Sequence, residues 1–146
     1  MIVFDVEANG LLDKATKIHC LSYTTDGKHY QTIFDYSDMR DLILSQHGLV
    51  GHNIIRYDVP LIEKILGIKI KSRLFDTLPM SWVLNLNRSK HGLESFGEDF
   101  GIPKPQIDDW HNLTSEEYAY RCTEDVKINW CLWQDLLRRF MFLYKS

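Results

Sequence analysis

The chain has 146 residues, 45% hydrophobic and 25% charged, with a formal net charge of −3. That length supports one domain with its own core and is short for two, while near-average composition without low-complexity runs excludes disordered, collagen-like and solenoid chains. Apolar runs reach only four or five residues against the roughly 20 needed to span a bilayer, no basic leader precedes the first apolar segment, and the charge balance carries no polyanion-binding signature.

In chain order, residues 1–6 read as a buried strand ending in the turn Ala8-Asn9-Gly10. Residues 17–24 and 29–34 form two further strands joined at Asp26-Gly27, a tight hairpin turn. A capped helix is expected over 37–46, with Met39, Leu42 and Ile43 at helical spacing, followed by a short strand at 48–51 parallel to the first. Residues 57–66 repeat the helical pattern and stop at Gly67, and 68–71 alternate isoleucine with lysine as a short extended piece. Another helix starts at 75–77, with Asp76 or Thr77 as cap and Pro79 in its first turn, and runs to Asn85. A short helix over 93–100 ends at Gly101, and a long helical pattern runs from 114 or 115 to about 144, broken or bent near 121–124. The expected fold is one α/β domain over 1–146: a mixed sheet, made of a three-stranded meander plus parallel strand or strands, flanked by helices.

The three cysteines, Cys20, Cys122 and Cys131, contain no CxxC pair and read as reduced core residues in a cytoplasmic protein rather than a zinc site. The carboxylates are more informative. Asp5 and Glu7 lie two apart in an apolar strand and share a face, where two like charges repel unless both reach water at a strand edge or a cation lies between them. Asp58 follows the polar turn after the 48–51 strand, where α/β sheets bind ligands, although an acid at a helix start also suits the helix dipole. Asp125 falls on the apolar stripe of the last helix with Ile128, Cys131, Leu132 and Leu136, and needs either a salt bridge or a metal.

The ordered set F-D-V-E-A-N-G-L (Asp5, Glu7), H-N-x3-Y-D-V-P (Asp58) and E-D-V (Asp125), joined by Asp76-Thr77-Leu78 and the run from His91 to Gly97, resembles the DEDD superfamily of 3′-to-5′ exonucleases. Within it the likeness is to the proofreading domain of family A phage replicative DNA polymerases. The resemblance implies a ribonuclease H-like fold and two divalent cations, Mg²⁺ or Mn²⁺, held by Asp5, Glu7, Asp58 and Asp125. Asp5 would bridge the ions, Glu7 and Asp125 would complete the first site, and Asp58 would support the second mainly through water. The pattern departs from the family at one point. The tyrosine subclass places Tyr four residues before the last acid, where this chain has Arg121, and Tyr120 stands five before it. An offset of five in a regular helix separates two side chains by about 140°, so Tyr120 orients the attacking water only if the helix starts or bends after it. Tyr118 is the weaker substitute.

The implied reaction is metal-dependent hydrolysis at the 3′ end of single-stranded or frayed DNA, releasing nucleoside 5′-monophosphates, in which two ions activate water and stabilise the leaving oxygen. Asn9, Leu11, Asn53 and His91 are the expected substrate contacts, with Leu12 as a second wedge and Arg56 and Lys90 near phosphates. Leu93, Phe96 and Phe100 read instead as core. Partners would be single-stranded DNA 3′ ends and a DNA polymerase domain or subunit, with no membrane; nothing in these residues supplies polymerase fingers or palm. An RNA exonuclease of the same superfamily and a catalytically silent nucleic-acid-binding module are the alternatives, the second supported by the departure at Arg121.

Overall fold

A computed structural model describes residues 1–105 and 112–145. The elements are β1 (Ile2–Ala8), β2 (Ile18–Thr24), β3 (Tyr30–Ile33), α1 (Tyr36–Ser45), β4 (Gly48–Gly51), a π-helical turn (Ile54–Asp58), α2 (Val59–Leu66), β5 (Arg73–Asp76), α3 (Thr77–Leu84), α4 (Leu93–Phe100) and α5 (Ser115–Lys145). The strands form one sheet in the order β3-β2-β1-β4-β5. β1 pairs antiparallel with β2 and parallel with β4, and β5 pairs parallel with β4, so the expected meander and mixed sheet are present.

Side-chain alternation along β1 separates two jobs. Ile2, Phe4 and Val6 point to one face and join Leu21, Met39, Ile43, Leu61 and Ile62 in the main core under α1 and α2. Val3 points to the other and packs with Val50, Val126 and Trp133 of α5. Asp5 and Glu7 share the face of Val3, so the strand delivers both acids towards α5. Leu93 and Phe96 join Ile128, Leu132 and Leu136 in a further cluster, where Phe100 packs partly buried, so all three serve the core.

Two elements differ from expectation. The segment 68–71 lies outside the sheet: Ile68 and Ile70 pack on the main core, and the Ile70 N–H donates to Glu63 Oε2 at 3.0 Å instead of to a strand. The fifth strand comes just after it, with Phe75 and Asp76 opposite Val50 and Gly51, and α3 begins only at Thr77. Asp76 is the cap, accepting from the Leu78 N–H at 3.0 Å. The second difference is that α5 runs unbroken through 121–124. Residues 115–145 contain neither Gly nor Pro, so nothing in them forces a kink.

Candidate metal and nucleic-acid site

The four acids meet where the carboxyl-end half of β1 faces α5 and the turn after β4. Asp5 lies opposite Ser22 and Glu7 opposite Cys20 in the β1–β2 ladder, and a bulge follows at Glu7/Ala8 where the strand leaves the sheet. Gly51 ends β4 beneath this point. A Cβ there would collide with the Ile54 side chain and stand 3.2 Å from the Phe4 carbonyl, so only glycine lets the turn fold back onto β1.

The turn itself is held by Asp76. Its Oδ1 accepts from the Asn53 N–H at 2.7 Å and its Oδ2 from the Ile55 N–H at 3.1 Å, in addition to capping α3. Asn53 takes the left-handed conformation, φ 63°, and the π-helical turn carries Asp58 into the interior. Asp58 makes no capping bond, and its buried Oδ2 has no hydrogen-bond partner among the described residues. The helix-start reading therefore does not account for this side chain. A buried, unpartnered carboxylate oxygen is costly, and a cation is the group that would satisfy it.

On α5, Asp125 is buried, and Lys104 Nζ stands 3.3 Å from its Oδ1. Arg121, one turn earlier, places Nε 3.6 Å from Glu7 Oε1. The salt-bridge reading of Asp125 is thus present with a lysine from the segment after α4, while an arginine serves Glu7. These contacts do not neutralise the cluster. Burial first, and then the charges of Asp125, Asp58 and Glu7, hold the Asp5 carboxyl well above its ordinary range. Burial raises Glu7 to about 7 despite Arg121. Burial, then Asp76, Glu7 and Asp125, raises Asp58 well above the ordinary range, and burial raises Asp125 against the pull of Lys104 and Arg121.

A cysteine lies at the acids. Cys122 Sγ donates to the Asp5 carbonyl at 3.2 Å and lies 3.6 Å from Asp5 Oδ2, so ligand atoms of Asp5, Glu7 and Cys122 fall within 4.8 Å of one another. Its spacing from Asp125, three residues, was visible in the sequence, but its reach across to β1 depends on how the helix docks. Burial pushes this thiol well above its usual range, so in the ion-free chain it is a neutral donor. Carboxylate oxygens suit a hard ion such as Mg²⁺.

The remaining candidates divide by what their polar groups already do. Asn9 Oδ1 accepts from the Thr16 and Lys17 N–H groups at 2.9 and 3.1 Å, and its Nδ2 donates to Thr16 Oγ1, so this side chain shapes the loop after β1. Leu11 is 73% exposed on that loop, whereas Leu12 packs on the main core. His91 uses both ring nitrogens within the protein, Nδ1 with Ser81 Oγ at 2.7 Å and Nε2 with the Arg88 carbonyl at 2.9 Å, and its own carbonyl accepts from His52 Nε2 at 2.8 Å. Burial lowers His52 to about 4, so it stays neutral near pH 7. Arg56 and Lys90 are exposed. Tyr120 is 59% exposed, and because α5 neither starts nor bends after it, the condition for it to face the acids is not met. Tyr118 stacks on His19, with ring centroids 4.0 Å apart. Sequence reasoning missed Tyr57 as a neighbour of the acids: its hydroxyl donates to the Gly10 carbonyl at 2.6 Å, and burial with the charges of Asp58, Glu7 and Asp5 raises its pKa.

The sheet order and the flanking helices define a fold class, that of ribonuclease H-like domains. No family model matches the chain. It is 32% identical over 101 residues to the DNA-directed DNA polymerases of Enterobacteria phage T3 and Escherichia phage T7, a match that takes in 60% of this chain and 14% of each polymerase. Among solved structures, Brucella melitensis NrnC bound to pGG superposes with TM-score 0.77 at 17% identity, over 96% of this chain and 72% of that one. Escherichia coli RNase D, an exoribonuclease, gives 0.68 at 17% identity over 94% and 39%. Exonuclease X in complex with 5′ overhanging duplex DNA gives 0.57 at 12% identity over 92% and 91%. These likenesses show the fold.

Proposed function

We propose that the chain is a metal-dependent 3′-to-5′ exonuclease that removes nucleoside 5′-monophosphates from single-stranded or frayed DNA ends, and that it proofreads for a phage-type DNA polymerase in the cytoplasm of the host. The observation that carries this reading is the convergence of Asp5, Glu7, Asp58 and Asp125 from β1, the turn after β4 and α5, with their charges opposed by burial and Asp58 Oδ2 left without a partner. The likeness to phage polymerases supports DNA as substrate and a polymerase as partner. Similarity to RNase D and to NrnC bound to pGG supports RNA ends or short oligonucleotides as the second reading.

Asp5, Glu7 and Asp125 would hold one Mg²⁺ or Mn²⁺, and Asp58 would support a second. Such ions, when bound, lower the pKa of a coordinated water and offset charge on the leaving 3′ oxygen. The chain's own part is to hold the carboxylates in place: the β1–β2 ladder fixes Asp5 and Glu7, Asp76 fixes the turn before Asp58, and α5 fixes Asp125. Leu11, exposed on the loop after β1, would wedge against the terminal base, while the Asn53 N–H and the His91 carbonyl are engaged within the protein by Asp76 and His52. A 5′-labelled DNA oligonucleotide and an RNA of equal length, incubated with Mg²⁺ or Mn²⁺ beside EDTA and Asp5→Ala controls, test the reading. A ladder shortening from the 3′ end, faster on DNA and absent in both controls, is expected. Preference for RNA would favour the second reading, and cleavage by Asp5→Ala would overturn both.

A further inference from the structure

Arg121 has no place in the reaction as described so far, yet it lies inside the site. It stands four residues before Asp125 and reaches across to β1, with its side chain only 21% exposed and Nε 3.6 Å from Glu7 Oε1. Lys104 takes the corresponding place at Asp125. Both pairings engage oxygens that a divalent ion would use, and a guanidinium sharing a carboxylate with such an ion meets strong repulsion at close range. With Glu7 committed to such an ion, Arg121 would be available to whatever anion enters the site next. In a nuclease that anion is a phosphodiester. The planar fork of a guanidinium matches two phosphate oxygens, and its charge persists at every working pH. Arg121 is also well placed to hold position, because its helix is anchored on either side of the site by buried Cys122, Val126 and Asn129. Lys104, a single-point cation on an irregular segment, is the poorer clamp.

We propose that Arg121 is a phosphate-binding catalytic residue, paired with Glu7 in the metal-free protein and handed to a non-bridging oxygen of the scissile phosphodiester when divalent ions occupy the carboxylates. The inference rests on the nuclease reading above. It also explains how the chain works with its neighbouring tyrosine exposed: charge stabilisation by Arg121 replaces water orientation by a phenol.

Binding tests it without relying on turnover. Fluorescence anisotropy would follow 5′-labelled oligonucleotides whose last linkage is either an ordinary phosphodiester or a neutral methylphosphonate, with Ca²⁺ in place of Mg²⁺ and cleavage checked on a gel. The wild type is expected to bind the neutral-ended strand more than about tenfold more weakly, bound ions contributing part of that loss, and Arg121→Gln to show a discrimination smaller by at least about threefold. The slope of log affinity against log salt should fall by about one in Arg121→Gln and stay near wild type in Arg121→Lys. A merely structural arginine would lower the melting temperature and leave the difference between the two strands intact. Should Arg121→Gln unfold, Arg121→Met, which keeps the apolar stem, carries the same comparison. Undiminished discrimination by the folded variant overturns the inference. Wild-type protein that cleaves 3′ ends yet ignores the neutral linkage overturns it while sparing the nuclease reading, and wild-type protein that neither binds nor cleaves defeats both.

Discussion

At the scale of residues, the site is a set of carboxylates held where they resist ionising. Glu7 retains its proton in the folded chain up to about pH 7, whereas an unfolded chain releases it near pH 4.5. Across that window the folded state binds more protons than the unfolded one, so stability falls as pH rises and levels off above the folded value. Asp5, Asp58 and Asp125 shift in the same direction. In EDTA the protein should be more stable at pH 5 than at pH 8 by on the order of 1–3 kcal/mol, read as a higher melting temperature, and Mg²⁺ at pH 8 should recover the loss. A flat or rising profile in a pH series of melting curves would contradict this. Asp58→Asn separates stability from function: it should stabilise the metal-free protein by about 1 kcal/mol in calorimetry while lowering cleavage more than about 100-fold. Tyr120→Phe should change kcat by less than about threefold, since that hydroxyl is on the exposed side of α5.

At the scale of elements, the devices that place the acids were legible to different degrees. Alternation in β1 puts Asp5 and Glu7 on one face, and the stripe of Ile128, Leu132 and Leu136 puts Asp125 with them; both follow from local periodicity. Alternation marks 68–71 as a short extended piece, and in the fold it records isoleucines seated on the core beside a backbone donor committed to Glu63. Which of two neighbouring extended pieces joins the sheet depends on β4, a partner distant in sequence. The second role of Asp76 was illegible for the same reason, because its cap position is local but its bonds to Asn53 and Ile55 close only when β4 and β5 lie side by side. Asp76→Ala should cost about 2–3 kcal/mol in denaturant melts, more than a cap alone, and should weaken metal binding by freeing the turn before Asp58. A loss of less than about 1 kcal/mol with unchanged metal affinity would show that the turn stands without it.

At the scale of the whole molecule, the net charge of −3 and the acid cluster both oppose a nucleic acid, so ions must reverse the local sign before a phosphate can approach. Single-strand affinity should therefore rise at least about tenfold between EDTA and millimolar Ca²⁺, and equal affinities in anisotropy titrations would contradict it. Among the described residues no helix is long and apolar enough to cross a membrane. The chain spans 14% of the length of the phage polymerases it matches.

The central claim is that four carboxylates from three separate elements form one divalent-cation site. Anomalous diffraction from a Mn²⁺-soaked crystal tests it most directly. Density is expected beside Asp5, with Glu7 and Asp125 around one ion, Asp58 on the side of a second, and Lys104 and Arg121 drawn away from their carboxylates. A crystal soaked at saturating Mn²⁺ that shows no anomalous peak among these acids, with Lys104 still on Asp125 and Arg121 still on Glu7, would contradict it.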